Sequence, residues 1–186
     1  VYQMLRMLRA HGMVREANDP TYQNYYTASC KDLNPDFIFA HLGYNMRGTE
    51  LAAVIGRQQL KRLDENIKIR TANLNLFLDN LDPVKYWTEF NRDGSSNYAL
   101  TLLGAGIIVT PEAIMATLRE HGVEFRRGMS GGGNQLRQPY MRGILLPALN
   151  EFPNVEHVHF NGFYIGNYPE LEKEKIVALC KLLNEL

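Results

Sequence analysis

Residues 43–73 read GYNMRGTELAAVIGRQQLKRLDENIKIRTAN, and the fold turns on how this stretch is understood. Its latter part has helical spacing. Ala53, Gly56, Leu60, Leu63 and Ile67, continued by Leu74, Leu78 and Leu81, recur at steps of three, four or seven and form one apolar stripe. Thr49 is placed to cap such a helix, Glu50 suits the positive end of its dipole, and Asp82-Pro83 stops it. Unbroken from Thr49 to Leu81, the helix would run roughly 50 Å at about 1.5 Å per residue. Globular helices average about a dozen residues, so this one is expected either to bridge two domains or to kink partway. Ahead of it stands a polar turn, Gly43-Tyr44-Asn45-Met46-Arg47-Gly48. Asn and Arg just before a helix N-terminus lie where free N–H groups and partial positive charge favour a phosphate. Local chemistry leaves a second reading equally open, in which Asn45 only organises the turn and Arg47 is solvated.

The rest of the chain restricts what the stretch can belong to. It has 186 residues, 45% hydrophobic and 22% charged, the profile of a water-soluble globular protein. Twenty basic residues balance twenty acidic ones, which gives no case for a nucleic-acid or membrane-surface partner. The apolar runs are too short for a bilayer, and no secretory signal opens the chain. Cys30 and Cys180 have no CxxC spacing and read as buried small apolar residues in a reducing, cytoplasmic compartment, without structural zinc. The chain opens as VYQMLRMLRAHG, already helically spaced with no capping residue ahead; it is expected to begin inside an element of a longer protein.

That first helix closes at His11-Gly12. Residues 13–45 are polar and irregular, long enough for a functional loop or one that wraps a partner. After the long helix, residues 85–90 and 96–103 read as strands about the turn 91–94, and residues 110–122 as a helix with Thr110 capping and Pro111 at the first position. Residues 123–127 read as a strand, 155–167 as containing another, and the segment from Pro169 as a last helix. The order β-β-α-β-β-α after the long helix describes a small two-layer α/β domain.

Three places could carry chemistry. RRGMSGGGNQLRQPYMR (126–142) combines arginines, a glycine triplet, Asn134 and Gln135. Consecutive glycines let backbone N–H groups converge on an anion, and arginine forks suit phosphate or carboxylate. Neither the P-loop nor the dinucleotide pattern is present, and a flexible solvent loop is the alternative. Among the histidines, His157 and His159 would share one strand face, two of the at least three ligands zinc needs; His11 and His121 sit at helix ends, and no metal site is expected. No GxSxG surrounds Ser130, no His can be paired with Cys30, and the carboxylates are scattered. The residues give binding elements and no reaction centre.

Taken together, LRMLRAHGMVRE and GYNMRGTELAAVIGRQQLKRLDENIKIRTAN resemble the DegT/DnrJ/EryC1/StrS family. The family pattern is an Arg-x-His-Gly helix end, then Gly-Tyr-Asn-x-Arg leading into Ala-Ala-x-x-Gly-x-x-Gln-Leu. Arg9, His11, Gly12, Gly43, Tyr44, Asn45, Arg47, Ala52, Ala53, Gly56, Gln59 and Leu60 fit it in order. GVEFRRGMSGGGNQLRQPY is similar to the branch that includes the sugar 3-dehydrases, though its glycine triplet departs from that branch's simpler Gly-Asn.

The resemblance implies the C-terminal part of a fold-type I enzyme dependent on pyridoxal phosphate (PLP). It implies a remnant of the large domain (1–48), a linking helix (49–81) and a small α/β domain (82–186). It implies action on a nucleotide-linked keto-sugar, by amino transfer or 3-dehydration, in polysaccharide and deoxy- or amino-sugar synthesis. Asn45 would contact the PLP phosphate across a homodimer, with Tyr44 and Arg47 lining the site. Arg126, Asn134 and Arg137, with Arg127 if the register slips by one, would face the nucleotide sugar. In the family the cofactor-bearing lysine lies upstream of the Arg-x-His-Gly helix; Lys31, Lys61, Lys68 and Lys85 do not occupy that motif. The chain alone is therefore expected to be inactive. The alternatives are a non-catalytic module binding a phosphorylated ligand through 126–137, or a split half that needs an N-terminal companion chain.

Overall fold

The stripe across 49–81 is divided between two helices, α3 (Glu50–Leu60) and α4 (Leu63–Asn80). The computed structural model describes residues 1–46, 49–106, 108–127, 133–141 and 151–186. Thr49 Oγ1 accepts from the Ala52 N–H at 3.2 Å and caps α3. At the break Arg62 leaves helical dihedrals (φ −110°, ψ 3°), and its N–H closes a tight turn onto the Gln59 carbonyl at 3.0 Å. Asp64 and Glu65 then sit in the first turn of α4, where acidic side chains favour a fresh N-terminus. The kink is thus written in charge, while the apolar stripe runs through it. No residue of α3 is buried; α4 buries Asn73, Leu74, Phe77 and Leu78.

The chain forms two compact units, residues 1–52 with 127–160 and residues 53–126 with 161–186. The second unit carries a three-stranded sheet in the order β1 (Ala99–Leu103), β3 (Gly162–Gly166), β2 (Phe125–Arg127). β1 and β3 run antiparallel, with Leu100 opposite Ile165 and Leu102 opposite Phe163. These core-side residues meet Leu74, Phe77 and Leu78 of α4, Ile114 and Leu118 of α5 (Pro111–Glu120), and Ile176, Cys180 and Leu183 of α7 (Lys173–Asn184). Thr110 caps α5 by accepting from Ala113 N–H. Buried Asn167 donates to the Arg70 and Asn97 carbonyls and accepts from Asn73, tying α4 to the sheet end.

One expected strand is absent, and the one expected within 155–167 is confined to its latter part. Residues 85–90 form no ladder, only the bridge between Tyr86 and Gly104, because Tyr86 points wholly inward and its hydroxyl donates to the Leu183 carbonyl at 2.7 Å. Residues 153–161 form the helix α6 (Pro153–Asn161), with only 162–166 extended. The Val-His alternation imitates a strand, but Pro153 opens a helical turn. His157 and His159 therefore point about 200° apart, at about 100° per residue, and do not share a face. The order from β1 onward is β-α-β-α-β-α.

The first unit holds α1 (Tyr2–Leu8) and α2 (Pro20–Ser29), with a small core of Val14, Cys30, Leu33, Ile38 and Ala40. Residues 127–160 group here rather than with the remainder of 82–186. Fully buried Gln138 is one reason: it accepts from Phe39 N–H and donates to the Phe37 carbonyl, as a neighbouring strand would. Neither cysteine forms a disulfide, and both are buried. Among the described residues no helix is long and apolar enough to cross a membrane, and no three His, Cys, Asp or Glu groups converge as for a metal.

Candidate functional site

The turn around Asn45 is fastened to the end of α1 by main-chain bonds. Tyr44 N–H donates to the Leu8 carbonyl and His11 N–H to the Tyr44 carbonyl, both at 2.7 Å; Met46 N–H reaches the Arg9 carbonyl at 3.2 Å. Ala10 and Asn45 form an antiparallel bridge. His11 (φ 61°) and Gly12 (φ 77°) are successive left-handed residues that reverse the chain under the turn. A Cβ on Gly12 would stand 1.8 Å from the His41 carbonyl oxygen, and one on Gly43 2.3 Å from the Gly12 nitrogen. The Arg-x-His-Gly and Gly-Tyr-Asn motifs are thus two halves of one backbone clasp. Asn45 is held by its backbone while its side chain stays exposed, and Tyr44 is 69% exposed beside it. Among the described residues the Asn45 amide has no side-chain hydrogen bond. Arg47 and Gly48 lie outside the described residues.

Arg126 and Arg127 adjoin on β2, where successive side chains point to opposite faces. Arg126 is exposed and engages Tyr164, whose hydroxyl is pushed up chiefly by burial. The glycines at 131 and 132 and Arg142 lie outside the described residues.

Asn134 and Arg137 are brought together by Glu156 of α6. Asn134 is 2% exposed; its Oδ1 accepts from Leu136 N–H at 3.0 Å and its amide donates to Glu156. The expectation that it faces a ligand meets a side chain turned inward and engaged at both ends. Arg137 donates from Nε to both Glu156 oxygens, at 3.0 and 3.1 Å, and from Nη2 to Oε2. Its Nη1 donates to Asp32 Oδ2 at 2.8 Å, and the guanidinium lies 4.8 Å from the Phe160 ring centre. These hydrogen bonds raise the Arg137 pKa and, reciprocally, lower that of Glu156. His159, 4% exposed, accepts at Nδ1 from Asn134 N–H and so donates at Nε2 to the Asp32 carbonyl, 2.9 Å away. Burial pushes its pKa down, which agrees with a neutral ring. Asp32, Glu156 and His159 carry no motif in the sequence: Arg137 and Asp32 are 105 residues apart.

The profile of the DegT/DnrJ/EryC1/StrS aminotransferase family matches residues 1–184. Over 191 aligned residues the chain is 28% identical to a GDP-4-keto-6-deoxy-D-mannose 3-dehydratase of Yersinia pseudotuberculosis, covering 100% of this chain and 47% of that protein. It is 27% identical over 146 residues to the lipopolysaccharide biosynthesis protein RfbH of Salmonella typhimurium, covering 75% of this chain and 33% of the relative. The E. coli GDP-4-keto-6-deoxy-D-mannose-3-dehydratase solved with bound hydrated PLP superposes with a TM-score of 0.61 at 24% identity, covering 98% of this chain and 47% of that one. The chain thus shares the mixed α/β fold of part of these enzymes and spans about half the length of the curated dehydratases it matches.

Proposed function

The chain belongs to the DegT/DnrJ/EryC1/StrS aminotransferase family, and we propose that it supplies the C-terminal portion of a PLP-dependent enzyme acting on a nucleotide-linked keto-sugar, by amino transfer or 3-dehydration. The observation that carries this reading is the clasp, which presents an exposed Asn45 amide on a backbone that has no freedom left to lose. Such an amide donates to a phosphate oxygen with no backbone left to order, only its own side chain. The residues present suit the cofactor's phosphate end: an amide donor at Asn45, an exposed phenol at Tyr44, and Arg47 following in sequence. When bound, PLP supplies an electron sink for a carbanion at the sugar.

This chain's own residues position and bind. Asn45 and Tyr44 hold the phosphate end of the cofactor, contributed by a homodimeric partner or an N-terminal companion chain. Arg126, Arg127 and Arg137 are the candidate contacts for the nucleotide diphosphate, because planar guanidinium groups suit phosphate oxygens. Asn134 holds the segment that carries Arg137. The setting we infer for it is the cytoplasm, in polysaccharide synthesis.

The test is a PLP titration of the chain mixed with the segment its relatives carry ahead of the Arg-x-His-Gly helix, followed by visible absorbance. Asn45→Ala is expected to weaken PLP binding about tenfold, the loss of one hydrogen bond to a charged group of about 1.4 kcal/mol. Equal affinity in the variant overturns the role of Asn45. Failure of the mixture to bind PLP overturns the functional reading as a whole.

A further inference from the structure

We infer that the Asp32 carboxylate is an internal stand-in for a ligand phosphate, and that a diphosphate-bearing ligand reaches Arg137 by displacing it. The inference rests on the reading above that Arg137 serves the nucleotide. It follows from charge first. Among the described residues Arg137 is one cation between two carboxylates, Glu156 and Asp32, so these groups together are net negative, with neutral His159 at their base. An arriving phosphate is repelled until one carboxylate withdraws.

Geometry decides which one. Glu156 receives donors from Nε and Nη2 on both its oxygens and also takes the Asn134 amide. Its side chain is 20% exposed. Losing it would release both the arginine and the loop cap. Asp32 makes one contact, Oδ2 to Nη1, and its side chain is 38% exposed. Among the described residues its carboxylate has no other partner. A single pair at that exposure is weakly held. Phe160 backs the guanidinium and keeps it in place as the carboxylate leaves. The Asp32 backbone is pinned through its carbonyl to His159 Nε2, so release needs only rotation of the Asp32 side chain about its χ bonds. Arg137 then offers Nη1 at its outer edge while Glu156 still holds Nε and Nη2. Asp32 thereby sets the minimum charge a ligand must bring: a neutral or weakly anionic sugar does not displace it, and a diphosphate does.

The experiment uses the full 186-residue chain and calorimetric titration with inorganic pyrophosphate and with GDP. Asp32→Asn keeps the shape and removes the charge; it is expected to bind pyrophosphate about tenfold tighter than the unmodified chain, one unit of repulsion near the surface being worth at least that. Asp32→Ser should tighten binding likewise, which separates charge from amide contacts. Arg137→Gln should abolish the gain, so that Asp32→Asn with Arg137→Gln binds no better than Arg137→Gln alone. Unchanged affinity in both Asp32 variants, or a gain that persists without Arg137, overturns the inference. If Arg126→Gln or Arg127→Gln weakens GDP binding while Arg137→Gln does not, the inference falls and the nucleotide reading stands. If no variant binds pyrophosphate or GDP, both fall.

Discussion

A methyl group added at Gly43 would lie 2.3 Å from the Gly12 nitrogen and 2.8 Å from the Leu8 carbonyl oxygen. Both neighbours are main chain and cannot rotate aside. Gly43→Ala is therefore expected to cost about 3 kcal/mol or more, as overpacking against fixed backbone does; denaturant unfolding measures it, and a midpoint equal to the unmodified chain's would refute the clasp. His159 sets a second expectation. Its ring is held neutral, with its pKa pushed below the ordinary 6.5 by burial. Above 6.5 the folded and unfolded chains are alike in charge there. Below it the unfolded chain takes up a proton that the folded one resists, so stability falls as the pH drops from 6.5 toward the lowered folded value. Glu156 acts the same way further down, since Arg137 holds it below the ordinary 4.5: its contribution is present above 4.5 and is lost as the pH falls through the depressed folded value. His159→Asn should flatten the limb that begins at 6.5, as read from denaturant midpoints between pH 8 and pH 5. At this scale Gly12 and Gly43 could be singled out from the sequence as turn glycines, and Asn45 as a donor ahead of a helix, because turns and helix ends demand particular residue types nearby. Asp32, Glu156 and His159 could not, because an ion pair imposes no spacing along the chain.

The elements follow a similar division. Helix α5 was fully legible, since its cap, its proline and its terminal glycine are local. A kink in the 49–81 helix was one of two expectations from its length; its position was not legible, since the apolar stripe continues across Lys61 and Arg62 and only the acidic pair after them marks a new start. The strand within 155–167 is present at 162–166, but helix α6 ahead of it is not legible, because Val155, His157 and His159 satisfy a period of two. Burial differs sharply along the divided stripe: Phe77 is 0% exposed in α4, whereas Leu51 is 77% exposed in α3. Phe77→Ala is expected to cost about 3–5 kcal/mol, and Leu51→Ala to stay within about 0.5 kcal/mol in the isolated chain. Paired urea melts test the contrast. In α7 burial pushes the Cys180 thiol up to about 12. A disulfide reagent at pH 8 should therefore leave Cys180 unmodified until the chain is unfolded.

Each of the two compact units has its own apolar cluster, and the chain enters the first, leaves it, returns to it at 127–160 and leaves again. Contiguous boundaries drawn at residues 48 and 81 cannot express that return, because nothing local in a sequence announces that a loop will dock on residues about a hundred positions earlier, as Gln138 does on Phe37 and Phe39. The small α/β layer was foreseeable from the mixture of strand and helix patterns, although their order differs; the membership of 127–160 was not. If the clusters are energetically separate, calorimetric unfolding of the whole chain should resolve two transitions. Gly43→Ala should then lower only one and Phe77→Ala only the other, and a single transition moved by both substitutions would show that the units melt together.

The hydrogen bonds that fasten residues 44–46 to residues 8–11 run between main-chain atoms. Positions 44 and 45 are therefore released from any duty to stability, and selection can change them without endangering the scaffold. In a saturation library at Tyr44 and Asn45, expression levels should barely vary from clone to clone while affinity for phosphorylated compounds varies widely. A frame of this kind lets one architecture be retuned from one small molecule to another by single codon changes.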